Sequence, residues 1–183
     1  MGRDGVGRRD LLESPEVDDD AAAVRAEWRA EEEQWSRAAL EHWEHGRTLA
    51  DVLRDARDRG DSVTLAFPSV TWSGTVLAVG DGIARIDAGS GAPVDVRLGP
   101  DAPFVLRIRA GGRGDPRRGA PITTFTARLR ELDGTPVCIG TAAGVLEGAL
   151  RIGHDQVRVT ATDGGVAYVP AGSLWWVREL ADD

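Results

Sequence analysis

The chain has 183 residues, 42% of them apolar, and a net charge of −8, with three histidines and one cysteine. That apolar content suffices for cores in two small domains. It excludes a bilayer-spanning helix, since no apolar run approaches the roughly 20 residues required, and Cys138 has no second thiol with which to form an internal disulfide.

The Met-Gly-Arg-Asp start lacks the apolar segment of a secretory signal, so the expectation is a soluble, cytoplasmic protein without membrane partners. All 22 basic residues are arginine, which reads as the codon bias of a GC-rich genome. Charge is unevenly spread. Residues 1–61 hold 17 acidic and 10 basic side chains, a net of −7, whereas residues 97–130 hold eight arginines against Asp101 and Asp115, a net of +6. An anionic partner would meet the protein in that second stretch.

In chain order, residues 1–17 are rich in Gly, Arg and Asp without periodicity and are expected to be a disordered tail. Asp18 to Asp20 then favour a helix N-terminus, and an Ala, Glu and Arg-rich run continues to Gly46. The prediction for 18–46 is a long acidic helix of roughly 40 Å. Val24, Trp28, Trp35, Ala39 and Trp43 fall on one face, interrupted by Glu31 and Glu32. Three tryptophans in a stripe require a cover. It is either the protein's own β-units or a partner, foreign or a second copy.

Thr48 can cap a second helix, 49–59, with Leu49, Val52, Leu53 and Ala56 at helical spacing. The period then changes to two, and strands are expected at 63–67, 72–79, 83–88, 93–98 and 104–108, with glycine-rich turns between them. Residues 110–121 read as a flexible Gly/Arg/Pro linker. Residues 123–132 fit a helix or a strand, and strands follow at 135–139, 145–152, 156–161, 166–169 and 174–178.

The two β-segments read as copies. Gly-Asp-Ser-Val at 60–63 matches Gly-Thr-Pro-Val at 134–137, and Trp72-Ser73-Gly74 matches Leu146-Glu147-Gly148, both at an offset of 74. After a one-residue gap the offset is 73: Val79-Gly80 meets Ile152-Gly153, Ala84 and Ile86 meet Val157 and Val159, and Val96 meets Val169. Arg107 meets Arg178 near the end. Such recurrence means duplication.

A helix, five short strands and a glycine within the long second strand resemble the Sm-like fold, a small SH3-like barrel. Gly74 and Gly148 stand where that fold has its strand-two glycine, and the run from Tyr168 to Val177 is similar to the strand-four, tight-turn, strand-five end of the Hfq-type RNA chaperones. The resemblance implies a mainly β protein: a first barrel with its own short helix over 47–109 and a second over 122–183. It also implies that strand four of one barrel pairs with strand five of the other, and that single-stranded RNA is a candidate ligand. The Asp-x-x-Met-Asn and Tyr-Lys-His loops of those families are missing here; Gly80-Asp81-Gly82, Gly153-His154-Asp155 and Val169-Pro170 stand in their places.

No nucleophile elbow, phosphate-binding glycine loop or carboxylate pair is visible, so no enzymatic activity and no cofactor is expected. His42 and His45 at i, i+3 lack a third ligand, so no metal site is expected there. His154 with Asp155 aligns with a plain hairpin tip, and Arg-Gly-Asp at 59–61 and 113–115 reads as turn residues. The leading expectation is a protein-interaction, scaffold or regulatory module acting through Trp28, Trp35 and Trp43. The alternative is an RNA-binding protein whose contacts are Arg107, Arg109, Arg113, Arg117 and Arg118 with an exposed ring from Trp175 or Trp176. Sequence-specific DNA binding is disfavoured because the only long helix is acidic.

Overall fold

The computed structural model describes residues 15–89, 91–111 and 119–181, and within the first helix the side chains of residues 24–39. The chain divides into two units, residues 1–47 and 48–183. The first contains α1 (Pro15–Gly46). This helix begins three residues before the expected Asp18, at a proline, whose missing N–H costs nothing in a first turn.

The second unit opens with α2 (Leu49–Arg59). The Thr48 hydroxyl accepts from the Asp51 N–H at 3.2 Å, and the Asp51 carboxylate accepts from the Thr48 N–H at 3.1 Å. These reciprocal bonds satisfy two donors that a helix start leaves open. The Thr48 hydroxyl, donating to the Asp51 carboxylate at 2.7 Å, and then the Thr48 N–H hold that carboxyl below its ordinary value. Gly60, left-handed at φ 69°, ends the helix. Five strands follow: β1 (Ser62–Ala66), β2 (Thr71–Gly80), β3 (Ile83–Asp87), β4 (Val94–Arg97) and β5 (Val105–Arg109). The ambiguous stretch near 123–132 is a helix, α3 (Phe125–Glu131), because Thr124 caps it and Phe125, Leu129 and Leu132 recur at helical spacing into a core. Then come β6 (Pro136–Thr141), β7 (Gly144–Ile152), β8 (Gln156–Thr160), β9 (Val166–Pro170) and β10 (Trp176–Glu179).

The protein is thus mainly β. Among the described residues ten strands form one open antiparallel sheet in the order β5-β1-β2-β3-β4-β10-β6-β7-β8-β9. Each half has the same internal order, its fifth strand lying beside its first, and the halves join where β4 pairs with β10. The ladders also explain the gap between the two sequence copies. Val76 pairs with Ile86 and Ala78 with Arg85, leaving Leu77 as an extra residue in a bulge, whereas β7 and β8 pair without interruption from Ala149 to Ile152. The Leu77 carbonyl accepts from the Gly119 N–H where the chain returns towards the second half.

Gly74 and Gly148 do the same work in the two copies. A Cβ on Gly74 would collide with the Asp87 carbonyl, and one on Gly148 with the Thr160 carbonyl. The neighbouring strand closes on both second strands at a distance that only glycine permits.

The two cores exchange residues across the join. The first contains Leu53, Val63, Leu65, Ile86, Val94 and Val96 together with Cys138 and Trp176 from the second half. The second contains Phe125, Leu129, Ile139, Leu150, Val157 and Val177 together with Ile83 from the first. Alternation along β10 accounts for this: Trp176 points to one core and its neighbour Val177 to the other. Burial of such side chains stabilises each half by about 1.5–3 kcal/mol apiece.

Candidate functional site

Three regions contain the residues that the sequence singles out. In α1, every residue from 24 to 39 is exposed. Val24 is 52%, Trp28 72% and Trp35 77% exposed, and their spacing puts them on one face. Arg29 and Arg37 donate to backbone carbonyls of their own helix, those of Arg25 and Glu33. Trp43, His42 and His45 lie outside the described side chains. Among the described residues no cluster of three or more metal-ligating groups occurs.

The second region is β5, at one edge of the sheet. Arg107 and Arg109 are exposed, as are Val105 and Ile108. Arg113, Arg117 and Arg118 lie outside the described residues. Register with β1 sets the faces: Ile108 is opposite Val63 and Leu106 opposite Leu65, on the core side, while Arg107 and Arg109 stand opposite Thr64 and Ser62 on the outer side.

The third region is the join. Trp176 is 1% exposed, lies across Gly140, and meets Trp72 edge-on at 5.1 Å. It has no face open to a base, which removes it from the candidate RNA contacts. Trp175 is half-buried and stacks at 6.4 Å on Phe67, which in turn packs on Phe104 at 5.2 Å. Both rings thus belong to the first core, Trp176 within it and Trp175 packed against it through Phe67.

Sequence reasoning missed the electrostatic centre of this join. Asp95 sits in mid-strand on β4, 1% exposed. Arg85 donates to it from β3 at 2.7 and 3.2 Å, and Arg128 donates from α3 at 2.7 Å. Arg128 continues to Glu131 at 3.0 Å and Glu179 at 3.5 Å. Burial pulls the Arg128 guanidinium down, but the Asp95 and Glu131 carboxylates together outweigh it and the net shift is upwards. One buried carboxylate thus binds an arginine from each half. The available signal was a charge between two valines, Val94-Asp95-Val96, in a strand expected to be apolar.

Beside the join a cavity of about 390 Å³ is lined by Asp81, Arg97, Asp101, Phe125 and Trp175, among others. Arg97 is already engaged there, lying 5.3 Å from the Phe125 ring centre and donating to the Gly172 carbonyl. Cys138 is buried, and desolvation by burial, with Glu147 nearby, pushes its thiol up to about 12, far from a nucleophilic range. His154 and Asp155 are exposed at the β7–β8 turn.

No family model and no curated protein matches this chain. Its function has to be read from its own surfaces.

Proposed function

We propose that the chain is a non-enzymatic, cytoplasmic protein-interaction or scaffold module. In this reading two Sm-like barrels follow a long acidic helix, and the Trp28, Trp35 and Trp43 face of that helix docks a partner protein. The observation that carries it is the exposure of Trp28 and Trp35, 72% and 77%, on one helical face. Large aromatic rings left in water are the usual anchors of an interface, and each one buried contributes the most where it fills a pocket. The reading as two barrels is supported by the repeated strand order and by the two collisions that only glycine avoids at Gly74 and Gly148. Residues 15–46 hold ten acidic side chains and three arginines. A partner of complementary charge presents an apolar groove bordered by cations.

A second reading, binding of single-stranded RNA, is supported by Arg107 and Arg109. They are exposed, have no ion pair among the described residues, and lead into the arginine-rich stretch. Four phosphate contacts there would give a log-log salt slope of about −3.

Protein recovered from its own cells at low and high salt, with and without ribonuclease, tests both readings. Under the first, Trp28→Ala with Trp35→Ala releases a stoichiometric protein partner, while Arg117→Ala with Arg118→Ala retains it. Under the second, the arginine variant sheds ribonuclease-sensitive nucleic acid and the tryptophan variant does not. Retention of the same partner by the double tryptophan variant overturns the first reading.

A further inference from the structure

We propose that the outer edge of β5 is a second docking surface, and that it accepts an extended acidic peptide segment as an added strand. The join between the halves shows what such an addition looks like in this sheet. There β10, whose register positions match those of β5, receives β4 along its outer side. Arg107 corresponds to Arg178, Leu106 to Val177 and Val105 to Trp176 through their shared pairing with β1 and β6. On β10 that side is covered; on β5 it pairs with no strand among the described residues. An uncovered edge presents alternate backbone N–H and C=O groups to any chain that can lie along it.

The side chains of β5 specify that chain. Ile108, on the core-facing side, is still 37% exposed, and Val105 is 58% exposed. Arg107 and Arg109 project from the opposite face to Ile108, with no ion pair among the described residues. The incoming strand therefore alternates, with apolar residues continuing the Leu106 and Ile108 side and carboxylates set beside the arginines. In the join the carboxylate of Val94-Asp95-Val96 lies on the other side, with Asp95 opposite Val177 and Val94 opposite Arg178, so the join is the precedent for the backbone ladder and not for the charge pairing.

A second copy of the chain fits poorly. Two β5 edges together would oppose Arg107 and Arg109 with their own counterparts, and like charges facing across strands are destabilising. The other open edge, β9, is the register equivalent of β4 but differs where it matters. Tyr168 takes the place of Asp95, so the carboxylate is missing. Pro170 takes the place of Arg97, whose N–H donates to the Trp175 carbonyl at 2.9 Å in the join. Proline has no such donor. A nucleic acid would satisfy the arginines but has no use for the backbone ladder or for Val105 and Ile108.

The test uses the full chain and a short synthetic peptide of alternating valine and glutamate, with binding read by fluorescence anisotropy and amide exchange. Three further probes accompany it: the same peptide with lysine for glutamate, one interrupted by proline, and a single-stranded RNA oligonucleotide. The expected result is salt-sensitive binding of the glutamate peptide alone, with slowed exchange at residues 105–109. Arg107→Glu with Arg109→Glu should weaken it roughly tenfold, without change in the thermal unfolding midpoint. If that variant is destabilised, Arg107→Gln with Arg109→Gln supplies the same comparison. No binding of the glutamate peptide, equal binding of the proline-interrupted one, binding unaffected by the charge changes, or protection of β5 by RNA in place of peptide each overturns the proposal.

Discussion

The two halves of the sheet share strand order, register and the critical glycine of the second strand, yet their outer edges have diverged. β4 has a buried carboxylate and joins β10; β9, at the matching register, has Tyr168 and Pro170 and, among the described residues, pairs only with β8. β10 contributes a side chain to each core, Trp176 to one and Val177 to the other, whereas β5 has two exposed arginines. The two halves thus share one strand order, and a few residues at strand edges distinguish the edge that is internal from the edges that are free among the described strands. The Asp95 cluster is the specific device, since its geometry has no counterpart at Tyr168.

The comparison can be broken most severely at Trp176. Trp176→Ala removes the largest buried ring from the core of the other half, and a loss of about 3–5 kcal/mol is expected in chemical denaturation. Both halves should unfold in one transition with an earlier midpoint. Separate transitions for the two halves would show that the shared ring does not couple them.

Asp95→Asn comes next. It leaves Arg85 and Arg128, 13% and 18% exposed, without their common carboxylate, and removing one partner of a buried pair costs roughly 3 kcal/mol. Tyr168→Asn, at the equivalent position of the free edge and 62% exposed, should change the midpoint by less than about 0.5 kcal/mol. Equal effects at the two positions would contradict the assignment of the join.

Gly74→Ala and Gly148→Ala sharpen the likeness of the halves. Each forces a strand apart at a backbone carbonyl, for a cost of about 1–3 kcal/mol. Gly148, at φ 154°, should be the more sensitive, because its backbone conformation is itself unfavourable for alanine.

The smallest effect expected is on Cys138, a residue of the second half in the first core. Its thiol is raised from the ordinary 9.0 to about 12 by burial. A raised folded value means that the neutral thiol's contribution is complete below pH 9 and is lost as pH climbs towards 12. Thiol labelling at pH 8 should accordingly proceed only through unfolding, at a rate that Trp176→Ala increases.

Much of this fold was legible because its signals are local. Alternation marked the strands, Thr48 marked a helix start, and a single gap in the repeat fell where Leu77 bulges out of β2. What the sequence hid depends on contacts between distant residues. Nothing near Asp95 announces Arg128, and nothing near Trp176 tells which half will enclose it; both follow from β4 meeting β10. The stretch at 123–132 stayed ambiguous because its apolar residues fit both periods until the Thr124 cap and the second core selected the helix. On the surface, exposed Trp28 and Trp35 were legible as a stripe. The free edge of β5 was not, since only the strand order shows which strand lacks a neighbour.

The position of Trp176 also constrains how the protein is made. β10 is the last strand in chain order, so during translation every strand of the first half emerges well before the ring that completes its core. Until then β4 has an uncovered edge and the first core lacks its largest ring, the kind of surface on which nascent chains aggregate. Folding of the early half is in effect deferred until β10 has emerged, and a nascent chain that stops short of residue 176 should be a client of chaperones, not a stable domain.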